Sequence, residues 1–272
     1  MTDALQGLRH LVEKVFLAAA DLYAAAVPRP PVDRRRAATC RIVSHRGEHG
    51  KAGVIENTLA AFERARAAGV WGIECDVRWT GDLQPVVFHD PDLQRIFGDP
   101  RKVADLTRDQ LQRDFPLIPS LAELVRRFGG RLHLMVELKA EPYPNPTLQS
   151  DRLARCLAGL RSGVDYHFIS LDPAMFDFVG FVPAAALVPV SQLNSRRLSR
   201  TALSTGLGGV AGHYLFMTRA MIDRHHAAGQ KVGTGYIRSR NSLRRELNRG
   251  VDWIFSNHAA RLQGVLHREK NR

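Results

Sequence analysis

The sequence predicts a (β/α)8 TIM barrel with a small insertion after the second strand and an extra N-terminal helix. From residue 41 onward, eight short apolar segments alternate with eight amphipathic segments. Gly69, Gly163, Gly229 and Gly250 end predicted helices just before strands. A doubly wound open sheet is the competing topology, but no glycine-rich dinucleotide fingerprint follows the first strand.

Each barrel unit is predicted from its hydrophobic periodicity and its boundary residues. The predicted strands are Arg41 to Ser44, Gly72 to Val77, Leu132 to Leu138, Tyr166 to Ser170, Ala185 to Val190, Gly209 to Tyr214, Lys231 to Tyr236 and Asp252 to Ser256. The predicted helices are Glu56 to Ala68, Ser120 to Phe128, Asp151 to Leu160, Pro173 to Val179, Ser195 to Ser204, Thr218 to Ala228, Ser242 to Gly250 and Ala259 to Glu269. The insertion begins with a short strand, Pro85 to Phe88, and continues irregularly to Pro119.

The N-terminal residues 1–38 are predicted to lie outside the barrel domain, which takes residues 39–272. Residues 4–26 have apolar side chains at helical spacing, and the proline- and arginine-containing stretch from Val27 to Arg36 predicts a linker. Two roles are open for this helix: packing against the barrel, or contacting a membrane surface or a second copy of the chain.

Composition narrows the class of protein. The 272-residue chain is long enough for one large core, and its three cysteines are too few and too far apart for a disulfide framework or a zinc site, which predicts a reducing, cytoplasmic location. The net charge of +12 comes mostly from scattered arginines, which predicts a generally basic surface. Peripheral contact with anionic membranes or attraction of anionic substrates is the open alternative, and nucleic acid is not expected. Neither a membrane span nor a signal peptide is predicted, and no pattern indicates an oligomeric state.

Several apolar segments stop abruptly at ionisable residues that fit one type of reaction. Glu74 and Asp76 are two positions apart in the second strand, so both side chains point to one face and can bind a hard divalent cation. His45 and His89 each end a strand as candidate proton carriers, and Arg46 follows the first. Two imidazoles, an oxygen-bound cation and a guanidinium are the groups that phosphodiester cleavage needs.

Glu137 ends the third predicted strand, beside the strand that carries Glu74 and Asp76. Three carboxylates at neighbouring strand ends repel one another strongly unless a cation lies among them. Carboxylate ligands favour Mg²⁺ or Ca²⁺ over zinc, and Ca²⁺ tolerates irregular geometry better. The competing explanation is that Glu137 pairs with Lys139 or with an arginine.

These residues belong to an ordered series of short motifs. The series comprises His45-Arg46-Gly47, Glu56-Asn57-Thr58-Leu59-Ala60-Ala61-Phe62, Glu74-Cys75-Asp76-Val77, Thr80-Gly81-Asp82, Val86-Val87-Phe88-His89-Asp90, Glu137-Leu138-Lys139, Ile169-Ser170-Leu171-Asp172 and Gly250-Val251-Asp252. From residue 41 to about residue 258, the series resembles the signature of the glycerophosphodiester phosphodiesterase family.

The resemblance implies a metal-dependent hydrolase that cleaves glycerophosphodiesters to glycerol phosphate and an alcohol. It implies Ca²⁺ or Mg²⁺ on Glu74, Asp76 and Glu137, acid and base roles for His45 and His89, phosphate contacts for Arg46 and Lys139, and an additional site carboxylate at Glu56. Two other functions remain open: a phospholipase D acting on lysophospholipids or sphingomyelin at membranes, and a barrel that binds phosphoesters without cleaving them.

Three positions depart from the family pattern. Ile55 replaces the usual proline, Gly235-Tyr236-Ile237-Arg238 replaces the usual Trp-Thr-Val-Asn, and Ser256-Asn257 replaces the usual Thr-Asp. The last two departures predict the loss of an aromatic wall and of an acidic residue from the rim. The resemblance therefore leaves the preferred substrate undetermined.

Overall fold

The computed structural model describes residues 19–50 and 53–270 and confirms the predicted barrel. Its strands are β1 (Arg41–His45), β2 (Gly72–Trp79), β3 (Pro85–Val87), β4 (His133–Leu138), β5 (Tyr166–Ser170), β6 (Leu187–Ser191), β7 (Gly209–His213), β8 (Lys231–Gly235) and β9 (Trp253–Ser256). All except β3 are parallel and run in the order β1-β9-β8-β7-β6-β5-β4-β2, and the pairing of β1 with β2 closes the barrel. The short β3 pairs antiparallel with the end of β2 and opens the insertion.

Helices surround the barrel and connect successive strands. They are α1 (helical residues 19–26), α2 (Arg34–Thr39), α3 (Leu59–Ala67), α4 (Gln94–Phe97), α5 (Arg108–Asp114), α6 (Leu121–Phe128), α7 (Pro146–Leu157), α8 (Ser195–Ser204), α9 (Arg219–Ala227), α10 (Arg240–Arg249) and α11 (Ala259–Lys270). Within the described residues, none of these helices is both long enough and apolar enough to cross a membrane.

Local capping explains where the structure departs from the predicted boundaries. Helix α7 begins five residues before the predicted Asp151, because Asn145 caps it and Pro146 fits the first turn. The short helix predicted near Pro173 to Val179 is present as a 3₁₀ helix. The last residues of the predicted linker, Arg34 to Arg36, form the first turn of α2. This helix begins there because the Asp33 side chain accepts hydrogen bonds from the backbone amides of Arg35 and Arg36.

Strand register brings the chemically important side chains together. In the parallel ladder of β1 and β2, His45 lies opposite Glu74. In the ladder of β2 and β4, Asp76 lies opposite Glu137. Because all these residues lie towards the carboxyl ends of their strands, they share one face of the barrel.

The described part of the N-terminal segment packs against the barrel near β7 and α10. The carboxylate of Asp21 accepts a hydrogen bond from the Tyr214 hydroxyl at 2.8 Å and forms an ion pair with Arg238 at 2.8 Å. Farther along, the Arg244 guanidinium donates to the Arg29 carbonyl at 3.1 Å. Residues 4–18 of the predicted helix lie outside the described residues.

Two neutral histidines are buried at the amino-terminal end of the barrel interior. His133 Nδ1 donates to the Val164 carbonyl at 2.9 Å, and His167 Nδ1 donates to His133 Nε2 at 2.8 Å. The Trp71 ring stacks on His133 at 4.1 Å, and Trp253 packs edge-on against His167 at 5.2 Å. Burial lowers the pKa of His133 to about 3 and the pKa of His167 to about 4.

We predict that this pair makes the fold sensitive to mild acid. An unfolded histidine has a pKa of ~6.5, so below that pH the unfolded chain binds protons that the folded chain does not. The free energy of unfolding should therefore be constant above about pH 6.5 and fall by roughly 1–2 kcal/mol per histidine at pH 5. Urea titrations from pH 7 to pH 5 measure this loss.

Replacing one histidine of the pair with a side chain that does not titrate distinguishes the contribution of the pair to this pH dependence from that of the other histidines. His133→Gln should show a shallower loss of stability towards pH 5 than the wild type, because it removes one of the two buried histidines. An unchanged slope in His133→Gln would contradict the assignment.

Candidate active site

Three buried carboxylates meet at the carboxyl ends of β2 and β4. Glu74, Asp76 and Glu137 each offer an oxygen atom, and these atoms lie within 4.8 Å of one another. Cys75 points the other way into the hydrophobic core, as the alternation of side chains along a strand requires. The structure thus brings together the three residues that the sequence singles out as cation ligands.

Two basic side chains partly neutralise this cluster. The Lys139 amine lies 2.6 Å from Asp76 Oδ1 and 2.6 Å from Glu137 Oε1. Arg46 Nε lies 3.3 Å from Asp76 Oδ2, and the Asn57 amide donates to the same oxygen at 2.7 Å. The pairing of Glu137 with Lys139, the competing explanation from the sequence, is therefore present within the cluster.

The protonation of the cluster follows from these contacts. Burial would raise the pKa of Asp76, but Lys139 and Arg46 hold that pKa below its usual value. Burial, followed by repulsion from Asp76 and Glu137, raises the pKa of Glu74 well above its usual value. Burial also raises the pKa of Glu137, although Lys139 opposes that shift. Glu74 is thus the carboxylate least compensated by its neighbours.

The cluster fits a hard divalent cation. Glu74 Oε1 is buried, and among the described residues it has no hydrogen-bond partner. A buried carboxylate oxygen without a partner is costly, and a cation would satisfy it. All three acidic groups supply oxygen ligands, which Mg²⁺ and Ca²⁺ prefer.

His45 ends β1 next to the carboxylates. Its Nδ1 atom lies 2.6 Å from Asn257 Oδ1, and its Nε2 atom lies 3.7 Å from Glu74 Oε2. Because an amide oxygen can only accept, Nδ1 carries the proton and Nε2 presents a lone pair to the site. Burial and the charge of Arg46 lower the pKa of His45 to about 4 in this arrangement, so the imidazole is neutral.

His89 has an ionic partner instead. Its Nδ1 atom lies 2.6 Å from Asp90 Oδ1, and the guanidinium of Arg95 binds the other carboxylate oxygen. Burial lowers the pKa of His89, and Asp76 opposes this shift by favouring the charged ring. Asp90 is a site residue for which the sequence predicts no catalytic role, and its one signal in the sequence is a carboxylate directly after a strand-end histidine.

Glu56 lies outside the carboxylate cluster. Its Oε1 atom accepts from Arg46 Nη1 at 3.0 Å and from Arg95 Nη2 at 2.6 Å. Burial would raise the pKa of Glu56, but hydrogen bonds and charges from both arginines lower it. Glu56 therefore connects the arginine next to His45 with the arginine that binds Asp90.

The turn after β1 is shaped to hold the site. Arg46 has a φ of +57°, in the left-handed region, and its backbone N–H donates to Glu74 Oε2 at 3.0 Å. Gly47 follows with a φ of +79°, and a Cβ atom there would lie 2.7 Å from Ala61. The geometry of this turn is thus fixed by both backbone conformation and close packing.

The rim near β8 carries an aromatic side chain, although the departure from the family pattern at this position predicts the loss of an aromatic wall. Tyr236 follows β8, is 57% exposed, and stacks on His213 at 5.2 Å. Arg46 and Glu137 are close enough to Tyr236 to act on its hydroxyl electrostatically. An aromatic side chain is therefore present at the mouth, although it stands one position away from the usual tryptophan.

Part of the chain is similar to a known protein family. Residues 45–152 match the glycerophosphoryl diester phosphodiesterase family. That stretch contains every site residue predicted from the sequence.

Two curated relatives illustrate the likeness. A glycerophosphodiester phosphodiesterase of Caldanaerobacter subterraneus subsp. tengcongensis is 39% identical over 111 residues, which cover 36% of this chain and 45% of that protein. Glycerophosphodiester phosphodiesterase 1 of Bos taurus is 32% identical over 115 residues, which cover 37% of this chain and 34% of that protein. The matching stretch thus spans less than half the length of these curated relatives.

Solved structures extend the likeness to the whole barrel. A glycerophosphodiester phosphodiesterase of Thermotoga maritima is 21% identical with a TM-score of 0.70, covering 83% of this chain and 98% of that one. An Oleispira antarctica phosphodiesterase in complex with the product sn-glycerol-3-phosphate is 22% identical with a TM-score of 0.70, covering 84% of this chain and 96% of that one. At this identity the structures show a shared fold.

The carboxylate cluster generates a prediction about cation binding. Ca²⁺ or Mg²⁺ should raise the melting temperature, because a ligand that binds only the folded state adds about 2.7 kcal/mol at a concentration ~100-fold above its Kd. Glu74→Gln should lose most of this shift. Differential scanning calorimetry with and without each cation measures it.

The matched control is Glu63→Gln, which changes a glutamate that pairs with Arg66 on the surface of α3. That variant should keep the full cation-dependent shift. A wild-type protein with no shift in either cation, or an equal shift in Glu74→Gln, would rule out the site.

Proposed function

We propose, on the premise of the glycerophosphoryl diester phosphodiesterase likeness of residues 45–152, that the protein hydrolyses glycerophosphodiesters to glycerol phosphate and an alcohol. The observation that carries the proposal is the buried cluster of Glu74, Asp76 and Glu137 with a strand-end histidine beside it. A bound divalent cation would supply positive charge to the phosphodiester. Side chains of the protein would bind the phosphate and transfer the protons.

Arg46 and Lys139 are proposed to bind the phosphate oxygens. Both are held at the cluster by carboxylates, Lys139 by Asp76 and Glu137 and Arg46 by Asp76 and Glu56. A guanidinium and an ammonium fixed in this way stabilise the charge that develops on the phosphate without reorganising.

The two histidines are proposed to divide the proton transfers. His45, with its proton on Nδ1 towards the neutral Asn257, presents the Nε2 lone pair and suits the base that takes the proton from the attacking hydroxyl. His89 is paired with the Asp90 carboxylate, which stabilises a protonated ring and suits the acid that protonates the leaving alkoxide. The attacking hydroxyl belongs either to water or to the neighbouring position of glycerol.

Turnover across a panel of substrates tests the proposal directly. Purified protein with Ca²⁺ or Mg²⁺ should release choline from glycerophosphocholine and ethanolamine from glycerophosphoethanolamine. Release from lysophosphatidylcholine or sphingomyelin in preference to both would favour the phospholipase D alternative. No release from any diester, combined with thermal stabilisation by glycerol phosphate, would replace the enzyme with a phosphoester-binding barrel.

Removing either imidazole should impair the reaction without unfolding the barrel. His45→Ala and His89→Ala should each lower kcat by ~10²-fold or more, because each removes one proton carrier. Steady-state kinetics with glycerophosphocholine measures the effect. His226→Ala, in the half-exposed histidine that pairs with Asp252 on the outer surface, should retain wild-type turnover; near-normal activity in either active-site variant would defeat the assignment.

Asp90 is predicted to act by positioning and charging His89. Asp90→Asn should lower kcat about tenfold or more with a smaller effect on KM, because the neutral amide stabilises the protonated ring less than the carboxylate does. Asp109→Asn, in an exposed aspartate on α5, is the control. Equal kcat values in the two variants would show that Asp90 has only a structural role.

A further inference from the structure

Apolar side chains protrude beside the mouth of the barrel. Leu193 follows β6 and is 56% exposed, and Tyr236 follows β8 and is 57% exposed. Between them, Leu215 and Phe216 follow β7 and are half-buried. All four come after the carboxyl ends of strands, so they lie on the face that carries the carboxylate cluster.

Arginines surround these apolar side chains. Leu193, Leu215 and Phe216 line an open hollow of about 510 Å³ together with Arg196, Arg197 and Arg200. The three arginines are exposed on α8, and no carboxylate of residues 19–50 or 53–270 forms an ion pair with them. Between Asp177 and Asp223 the chain contains four arginines and no acidic residue.

Ring contacts connect the hollow to Tyr236 at the mouth. The Phe216 ring lies 5.8 Å from His213, and the His213 ring in turn stacks on Tyr236 at 5.2 Å. We call the set of Leu193, Leu215, Phe216, Tyr236, Arg196, Arg197 and Arg200 the basic rim.

Helix α1 extends the basic rim. It is fastened by Asp21 to Tyr214 after β7 and to Arg238 after β8. The next two residues, Leu22 and Tyr23, are 73% and 68% exposed. Large apolar side chains therefore also protrude from the segment that borders the rim.

We propose that the basic rim docks the protein on an anionic phospholipid membrane, with the mouth of the barrel facing the lipid headgroups. Separate apolar side chains among unpaired arginines suit a lipid interface, where leucine and tyrosine enter the boundary and arginines contact phosphates. The net charge of +12 adds long-range attraction to a negative surface. A protein partner would instead require a contiguous complementary surface of about 800 Å².

Docking is independent of the reaction proposed above, and binding to vesicles tests it without a substrate. The protein should sediment with vesicles of phosphatidylcholine and phosphatidylserine, remain unbound with phosphatidylcholine alone, and dissociate as salt is raised. Arg196→Gln/Arg197→Gln/Arg200→Gln should lower the partition coefficient ~10²-fold. Leu193→Ser should lower it about tenfold.

Matched controls separate the rim from general charge and general apolarity. Arg126→Gln/Arg131→Gln/Arg155→Gln removes the same charge from exposed positions near α6 and on α7, and Val164→Ser removes a 57% exposed apolar side chain before β5. Both controls should bind almost as tightly as the wild type. All substituted side chains are exposed, and circular dichroism of each variant checks that it is folded.

Tryptophan fluorescence provides a second measurement, which reports contact between the rim and lipid and does not rely on a variant that binds less tightly. Leu193→Trp should shift its emission to the blue with anionic vesicles, whereas Val164→Trp should not. The proposal is overturned if phosphatidylserine vesicles are not bound, or if the control triple variant loses as much binding as the rim variant. It is also overturned if Leu193→Ser dissociates a dimer of this chain while vesicles remain unbound, since the rim would then be a self-association surface.

Discussion

The active face of this barrel depends on the balance of charge among buried side chains. Glu74, Asp76 and Glu137 lie against two basic groups, Lys139 and Arg46. Arg46 is also shared with a carboxylate outside the cluster, so the compensation is incomplete. Because buried charges are stable only when they are paired, the cluster is suited to accept an additional positive charge. The same balance holds Lys139 and Arg46, the proposed phosphate ligands, at the cluster.

Strand register is what makes this balance possible. The ladders place His45 opposite Glu74 and Asp76 opposite Glu137, so three strands deliver their polar ends to one volume. A slip of one residue in β2 would turn Glu74 and Asp76 towards the hydrophobic core and turn Cys75 into the site. The alternation of apolar and acidic side chains along β2 therefore determines both which residues pack in the core and which residues reach the site.

Much of the fold and the carboxylate cluster could be predicted because their signals are local. Alternating apolar segments give the eight strands, and Glu74 and Asp76 share a face through the two-residue period of a strand. The partner of His45 could not be predicted from a local signal. Asn257 lies 212 positions after His45 and meets it only because β9 pairs with β1. The departure at Ser256-Asn257 predicts the loss of an acidic residue from the rim, and the structure shows that Asn257 contacts the His45 ring.

The predicted boundaries of two helices were wrong for a different physical reason. Hydrophobic periodicity starts α7 at Asp151, but the Asn145 cap and Pro146 extend the helix through residues that bury little apolar surface. In the same way, the Asp33 cap starts α2 within a stretch whose prolines predict a linker. Capping depends on one side chain and the local backbone, so a window of average hydrophobicity does not detect it.

The contact between His45 and Asn257 joins the first barrel strand to the residue that follows the last one. During synthesis, the imidazole is present on the ribosome long before its amide partner has been translated. The tautomer of that imidazole is thus set only when β9 closes against β1. A nascent or truncated barrel without β9 would hold the carboxylates of β2 and β4 but would lack the contact that orients His45.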